Sequence, residues 1–453
     1  MAPPVSYPLP LTAHEFFVDA SPGILHTGWI ISLKDQRRYR SLVPGPVQRA
    51  ACHMPLCFIH LEANACISKG LVMFHFVVRL GLILGLLAAS ASSAWAQLTF
   101  NFIQGSASSP MMTGFQQAGA LWSSLFNDPI TLNIRINAAA LPTGQIGSTS
   151  NFFDTYTYDS VRTALMNDRT SGRDFSSAGA LQSGPNLSLL INRTANNPNG
   201  VVSATPYFDT GAGGPGQAGP ENNNTIRLTS SNAKAMGLMA GNDAGTNAII
   251  TMTTLQGYDF DRSNGINASQ VDFVGVAAHE LGHALGFMSG VDNLDGNGTA
   301  PGLNDNQLRF ITALDLFRFS SRSIGSGGGP GVIDWTADNT VKYFSVDGGA
   351  TPIATFANGA NFGDGTQASH WKDNLGLGMM DPSVAVGELL TISSNDIAAL
   401  DVIGYNLISV PEPTTYLLLG TITVAAGCYI RHRRQQHRRA QQIDLDATTA
   451  DCT

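Results

Sequence analysis

The sequence predicts an α+β fold, in which a sheet carries one central helix and the second half of the chain is rich in strands and loops. The first observation is a set of short alternating apolar stretches typical of strands. They lie at residues 98–103, 130–136, 186–191, 225–228 and 248–252. The second is a pair of helical patterns at 111–126 and 158–167. The third is the segment 290–369, where turn residues separate strand patterns at 314–319 and 342–346.

Composition favours a loop-rich extracellular protein. Only 13% of the 453 residues are charged, and glycine is abundant. Residues 97–410 hold 13 Lys and Arg against 25 Asp and Glu, a net charge of about −12. A nucleic-acid-binding protein needs a basic patch, so nucleic acid is not expected as a partner. None of the five cysteines lies in 97–410, so disulfides are not expected to hold the core.

The N-terminal end is predicted to be removed from the mature protein. Residues 1–72 show no sustained periodicity and form an extension without a domain. Residues 73–96 combine Arg79, an apolar run and the A-x-A pattern at Ala94–Ala96, in the order of a secretory signal peptide. We therefore expect translation to start at Met73, with 1–72 as a mis-assigned start. The alternative is an uncleaved internal membrane helix.

The C-terminal end has the form of a sorting signal. Pro411-Glu412-Pro413 precedes an apolar stretch at 414–430 and an arginine-rich stop at 431–434. This order resembles the PEP-CTERM tail of bacterial surface proteins, here over 410–434, with 435–453 as a basic and polar tail. The resemblance implies a transient transmembrane anchor, export machinery and a sorting protease as partners, and a final place in the cell envelope or outside the cell. A plain membrane anchor is the alternative.

The chemistry is concentrated in one motif, His279-Glu280-x-x-His283. Side chains four residues apart share one face of a helix, so both imidazoles can reach one cation. Glu280 follows the first histidine directly, where its carboxylate can hold and deprotonate a metal-bound water. The competing interpretation is a buried amphipathic helix without metal, which would need many compensating hydrogen bonds.

The residues around the motif favour a helix. Ser269 is predicted to cap its N-terminus, and Asp272 places negative charge in the first turn. Gly286 supplies a residue that can turn the chain out of the helix. The motif is therefore expected to lie on a helix that ends at this glycine.

A catalytic zinc needs three protein ligands and one open position. The segment 97–410 contains only three histidines, His279, His283 and His370. If three imidazoles bind the zinc, His370 is therefore the third ligand. An acidic third ligand is the alternative, and Glu388 is the only glutamate between the motif and residue 410.

The pattern H-E-x-x-H-x-x-G resembles the metzincin zinc metalloproteases. In their short motif a third histidine follows the glycine after three residues, but Ser289 stands there in this chain. Leishmanolysin-like members place that histidine after an inserted subdomain, which corresponds to His370 here. A Met-containing turn follows in these proteases, and Met380 is preferred to Met379 for that role.

The resemblance implies a metzincin-like catalytic domain with a twisted, mostly parallel sheet and an active-site helix. It divides the domain into a subdomain at 97–289 with the zinc helix and a strand- and loop-rich C-terminal subdomain at 290–409. The implied activity is that of a secreted or surface-associated zinc metalloendopeptidase, a hydrolase that cleaves protein or peptide substrates through a zinc-activated water. Glu280 would be the catalytic base, His279, His283 and His370 the metal ligands, and Gly286 and Met380 structural residues near the site.

Two other functions remain open at this stage. One is an extracellular matrix or surface protein with a structural or vestigial zinc site. The other is a gluzincin-type peptidase that uses Glu388. Calcium is a further expectation, from oxygen-bearing side chains at 258–265 and at Asp292 and Asp295. The strand pattern at 248–252 is expected to form the sheet edge that pairs with an extended substrate.

Overall fold

The computed structural model describes residues 14–18, 97–210, 221–325, 328–408 and 413–450. All of them belong to one unit of the chain. The predicted signal peptide at 73–96, nearly all of the extension at 1–72 and most of the Pro-Glu-Pro box lie outside the described residues.

Within the described residues, every strand longer than five residues lies in the central sheet. In chain order the strands are β1 (His14–Val18), β2 (Thr99–Gln104), β3 (Thr131–Ala139), β4 (Gln145–Asn151), β5 (Phe153–Thr157), β6 (Leu189–Ile191), β7 (Tyr207–Asp209), β8 (Thr225–Thr229), β9 (Thr246–Thr253), β10 (Tyr258–Asp259), β11 (Val271–Asp272), β12 (Arg318–Phe319), β13 (Ile333–Trp335), β14 (Tyr343–Phe344), β15 (Ala354–Thr355) and β16 (Ser383–Val384).

The helices lie between these strands. They are α1 (Ser109–Ser123), α2 (Tyr158–Asn167), α3 (Gly172–Ala180), α4 (Glu221–Asn224), α5 (Ser230–Ala235), α6 (Phe273–Leu285), α7 (Val291–Asn297), α8 (Ser321–Ile324), α9 (Ser394–Val402) and α10 (Pro413–Ala450). Three short 3₁₀ segments accompany them, Arg262–Asn264, Asp305–Gln307 and Leu314–Phe317.

The central sheet has six strands in the order β16-β1-β4-β9-β3-β2. β2, β3 and β9 pair in parallel, whereas β4 runs antiparallel to both β9 and β1. β1 in turn pairs in parallel with β16. The prediction of an α+β fold is confirmed, and the sheet is mixed because β4 reverses direction within it.

β9 lies in the interior of this sheet. One of its edges pairs with β3 and the other with β4. The expectation that residues 248–252 form a substrate-pairing edge is therefore wrong, because the backbone groups on both sides of the strand are already engaged in the sheet.

Helix α6 is packed between the sheet and helix α1. Every residue from Phe273 to Leu285 is buried. Gly114 of α1 lies against Phe273, where a Cβ would come within 2.3 Å of the ring. Trp122 of the same helix donates a hydrogen bond from Nε1 to the carbonyl of Ala278 at 2.9 Å. These contacts fix the helix that carries the sequence motif.

Two three-stranded sheets contribute to the second half of the molecule. One has the order β12-β14-β15, and the other joins β13 to β6 and β7 from the first half. The second sheet therefore crosses the predicted boundary at 289/290. The predicted strand at 314–319 is wrong over its first four residues, which form a 3₁₀ turn. Asp315 stabilises that turn, since its carboxylate accepts from the backbone N–H and the hydroxyl of Thr312.

The last helix, α10, covers the predicted apolar stretch at 414–430 and the arginines that follow it. No helix within the described part of the chain has the length and apolarity needed to cross a membrane. The sorting signal and its anchor stay predictions.

Candidate metal centre

Helix α6 begins at a capped and charge-paired aspartate. The Asp272 side chain accepts a hydrogen bond from the backbone N–H of Gly275 at 3.0 Å. Arg262 binds the same carboxylate through Nε at 2.8 Å and through Nη2. The prediction that Ser269 caps the helix is wrong. Ser269 lies in an exposed turn three residues earlier, where its hydroxyl donates to Asn267.

The helix ends at Gly286, as predicted from the sequence. Its φ of 112° places it in the left-handed region, which an L residue with a side chain rarely adopts. The N–H of Phe287 then donates to the carbonyl of Gly282 at 3.0 Å. This turn leads the chain away from His283 towards the second half of the molecule.

Three histidines converge beside this helix. Nε2 of His283 lies 3.1 Å from Nε2 of His279 and 3.2 Å from Nε2 of His370. All three side chains are buried. Nitrogen ligands at 2.0–2.1 Å from a tetrahedral metal would lie about 3.3 Å apart. The arrangement therefore fits a single metal ion, although His370 is 87 residues from His283 in the sequence.

The other ring nitrogen of each histidine faces a backbone carbonyl. Nδ1 lies 2.8 Å from the Met379 carbonyl in His279, 2.8 Å from the Phe287 carbonyl in His283 and 3.3 Å from the Gln367 carbonyl in His370. A carbonyl can only accept, so Nδ1 carries the proton and Nε2 the lone pair. Three lone pairs that meet at such distances repel one another unless a cation lies between them.

Burial favours the neutral form of two of these imidazoles, His283 and His370. It lowers the pKa of His283 to about 4, against a smaller upward effect of the hydrogen bond to Phe287. It also lowers the pKa of His370 well below its ordinary value, and the neighbouring histidines act in the same direction. Neutral imidazole is the form that binds metal.

Glu280 lies against strand β4. Its Oε2 accepts a hydrogen bond from the Thr149 hydroxyl at 2.5 Å. Its Oε1 is buried and has no hydrogen-bond partner among the described residues. A Cβ on Gly147 would come within 2.2 Å of that oxygen, so the strand approaches only because this residue is glycine. Burial raises the pKa of Glu280 to about 8, and the Thr149 hydroxyl opposes the shift.

His370 lies in a segment with little regular structure. Its carbonyl accepts from the N–H of Ala357 at 3.0 Å, and the next N–H, of Trp371, donates to the carbonyl of Met380 at 3.0 Å. The backbone at His370 and Trp371 is thus held between Ala357 and the turn that contains Met380.

That turn is fixed by Asp396 in the first turn of helix α9. The buried carboxylate accepts from the N–H groups of Met379 and Met380 at 2.7 and 3.2 Å, and from Nε1 of Trp371 at 2.8 Å. Met380 lies beneath the motif helix, since a Cβ on Gly282 would come within 2.3 Å of its sulfur. Met379 contributes its carbonyl to His279 instead.

Glu388 is not brought to the histidines. It lies in an exposed turn, where its carboxylate accepts from the N–H of Ala385 at 2.8 Å. Within the described ranges, the only group of three or more possible metal ligands whose ligand atoms lie within 4.8 Å of one another is the histidine triad. The gluzincin interpretation therefore finds no support in the geometry.

The carboxylates expected to bind calcium accept hydrogen bonds from backbone N–H groups. Asp259 accepts from the N–H groups of Asp261 and Asn267, as in a solvated turn. Asp292 and Asp295 accept from backbone N–H groups in the segment that leads to His370.

Sequence reasoning missed the partners of the predicted site residues. Thr149 and Gly147 lie on a strand whose only large apolar residue is Ile146, and Asp396 follows Ser393 in the pattern of a helix cap. The capping pattern at Ser393–Asp396 was the one available signal, and it indicated a helix start rather than a contact with the Met-containing turn. Comparison with protein-family models, curated proteins and solved structures found no match for this chain.

Proposed function

We propose that this chain is a zinc-dependent endopeptidase with a split, metzincin-like site. The observation that carries the proposal is the convergence of three histidine Nε2 atoms, two of them on the same helix as a glutamate whose Oε1 lacks a partner among the described residues. Three imidazoles and one remaining position form the ligand set of catalytic rather than structural zinc. The order of the residues in the sequence, with Ser289 in place of the short-motif histidine, supports the split form.

The chain's own residues supply two parts of the chemistry. His279, His283 and His370 would hold the ion, and a zinc ion bound there would supply a Lewis acid for the scissile carbonyl. In its carboxylate form, Glu280 would accept a proton from the attacking water and pass it to the leaving amine. The Thr149 hydroxyl holds one carboxylate oxygen at 2.5 Å, so the other is oriented for this transfer.

The test is Glu280→Gln, which keeps the shape of the side chain but removes the base. We expect hydrolysis of denatured casein to fall by at least about 100-fold, since general-base catalysis typically contributes that much. Bound zinc, measured by elemental analysis, should stay at the wild-type ratio, because Glu280 is not a ligand. Casein hydrolysis at the wild-type rate by the variant would rule the mechanism out.

A second candidate is a surface or matrix protein with a structural metal site. The complete burial of all three histidines and of Glu280 favours it, because a structural site needs no access for substrate. The same preparation distinguishes the two. A structural site predicts that a chelator lowers the thermal unfolding temperature while wild-type protein and Glu280→Gln are equally inactive on casein. The export signal and sorting tail would place either protein outside the cytoplasm.

A further inference from the structure

We propose that Asp292 is the positioning residue for the third ligand, His370, and that it sets the metal affinity of the site. The inference rests on the metal centre of the proposed function, but not on the peptidase activity. The sequence singled out Asp292 as an oxygen-bearing residue after the motif helix, and the structure gives it a different role.

Asp292 holds the two residues that precede the ligand. Its Oδ1 accepts from the N–H of Ala368 at 2.6 Å. Its Oδ2 accepts from the N–H of Ser369 at 3.2 Å and from the Ser369 hydroxyl. One carboxylate thus takes three hydrogen bonds from adjacent residues, and His370 follows directly. Hydrogen bonds to a charged acceptor are the stronger ones, so these bonds define the local backbone.

The same network reaches back to the motif helix. The N–H of Ser289 donates to the Ser369 hydroxyl oxygen at 2.9 Å. The Ser289 hydroxyl donates to Asp315 at 2.5 Å, and the N–H of Gly290 donates to the same carboxylate at 2.8 Å. The chain that leaves the motif helix after His283 is therefore fixed at Ser289 and Gly290, on one side to Ser369 and on the other to Asp315. Ser289, which occupies the place of the short-motif histidine, bonds to the neighbour of the histidine that replaces it.

Arg318 supports the arrangement from the other side. This buried guanidinium donates to the carbonyl of Ala368 at 3.3 Å and to that of Ala357. Ala357 is the residue whose N–H binds the carbonyl of His370. The peptide between Ala368 and Ser369 is thus held on both sides. Its N–H donates to the Asp292 carboxylate, and its carbonyl accepts from the Arg318 guanidinium.

The chain offers a matched control on the same helix. Asp295 lies one turn after Asp292 on α7, and its carboxylate accepts from the N–H groups of Asn361 at 2.7 Å and Phe362 at 2.9 Å. It therefore makes the same kind of bond to the same connecting segment, but eight residues from His370. A merely structural role predicts similar consequences for both aspartates, whereas a positioning role predicts a difference.

The experiment compares Asp292→Asn with Asp295→Asn in the full chain. Zinc affinity is measured by competition with a chromophoric chelator, and ligand geometry by the visible absorption of the Co²⁺-loaded protein. We expect Asp292→Asn to weaken zinc binding by about 10–100-fold, the usual cost of losing an outer partner of a metal ligand, and to change the Co²⁺ bands. Asp295→Asn should leave both unchanged.

Equal effects of the two variants, or wild-type affinity and Co²⁺ bands in Asp292→Asn, would overturn the proposal. If Asp292→Asn does not fold, Ser369→Ala decides, since it removes only the hydroxyl between Asp292 and Ser289. It should weaken zinc binding, and unchanged affinity would count against the proposal. Glu280→Gln serves as the reference with an intact ligand shell. A chain that binds zinc tightly but cleaves no casein would refute the peptidase and leave this inference standing.

Discussion

The two parts of the candidate metal centre are built in opposite ways. His279 and His283 lie on α6, a fully buried helix whose 3.6-residue period alone places both rings on one face. His370 lies in a segment of turns and isolated bridges, and it is placed by side chains that bind the backbone from elsewhere in the chain. The position of a histidine on a helix thus follows from its neighbours in the sequence. The backbone around His370 is held instead by distant side chains, namely those of Asp292, Arg318 and Asp396.

The largest effect expected from this difference concerns the ligands themselves. Both His283→Ala and His370→Ala should abolish stoichiometric zinc binding, because two imidazoles do not complete a catalytic ligand set. The measurement is zinc content after dialysis against buffer without metal. If His370→Ala retained one zinc per chain, the third ligand would be another residue, and the comparison between a helical and a non-helical part of the site would no longer apply.

A smaller effect is expected where the two parts touch. Gly282→Ala would place a Cβ 2.3 Å from the Met380 sulfur, so the free energy of unfolding should fall by about 1–3 kcal/mol, as for other overpacked cores. The control is Gly296→Ala on α7, where no atom lies within 4 Å of the added Cβ. That change should be neutral or raise stability by up to about 1 kcal/mol through helix propensity. Urea unfolding of both variants gives the comparison, and equal losses would contradict the packing of Met380 beneath the helix.

The smallest expected effect is a gradual pH dependence of the free energy of unfolding, which comes from a carboxyl group at the C-terminal end of α9. Asp396, at the start of this helix, uses its carboxylate on the Met-containing turn. Asp401, at the other end, is buried, and its Oδ1 has no partner within the described ranges. Burial, reinforced by the charge of Asp174, raises the pKa of Asp401 to about 6. The folded state therefore holds this proton more tightly than the unfolded chain, where the usual pKa is about 3.9.

That contribution to stability is fully present below about pH 4 and is lost as the pH rises through about 6. We expect the free energy of unfolding to fall between about pH 4 and about pH 7, as measured by urea titration at each pH. Asp401→Asn should flatten this slope. A slope that the variant leaves unchanged would assign the effect to other carboxyls, such as Asp128, whose pKa burial raises to about 7.

The features that were predicted from the sequence are those determined by residues that lie close together in it. The helix at 158–167 was predicted with the boundaries that the structure has, because a threonine cap and regular apolar spacing define it. The motif helix and its end at Gly286 follow from the same rules. Likewise, the sequences of β2, β3 and β9 alternate because every second side chain of each strand faces the core.

Strand β4 could not be predicted in this way. Its sequence, QIGSTSN, has no apolar alternation, yet its first five residues are buried. They are buried by contact with α6, where Thr149 binds Glu280 and Asn151 donates to the carbonyl of His283 at 3.1 Å. A polar strand that is buried by its partner carries no periodic signal of its own. The roles of Asp292 and Asp396 could not be predicted either, since these side chains bind backbone groups that are far away in the sequence.

The 87-residue separation of His283 and His370 has a consequence for how the protein would acquire a metal at this site. In an unfolded chain the two helix histidines are still close, but bringing the third to them means closing a loop of that length, at an entropic cost of roughly 4 kcal/mol. Only the folded chain would therefore bind the ion tightly, and folding and metal uptake would be thermodynamically coupled. A chain that crossed a membrane unfolded would have to collect its ion on the far side, from whatever concentration that compartment provides.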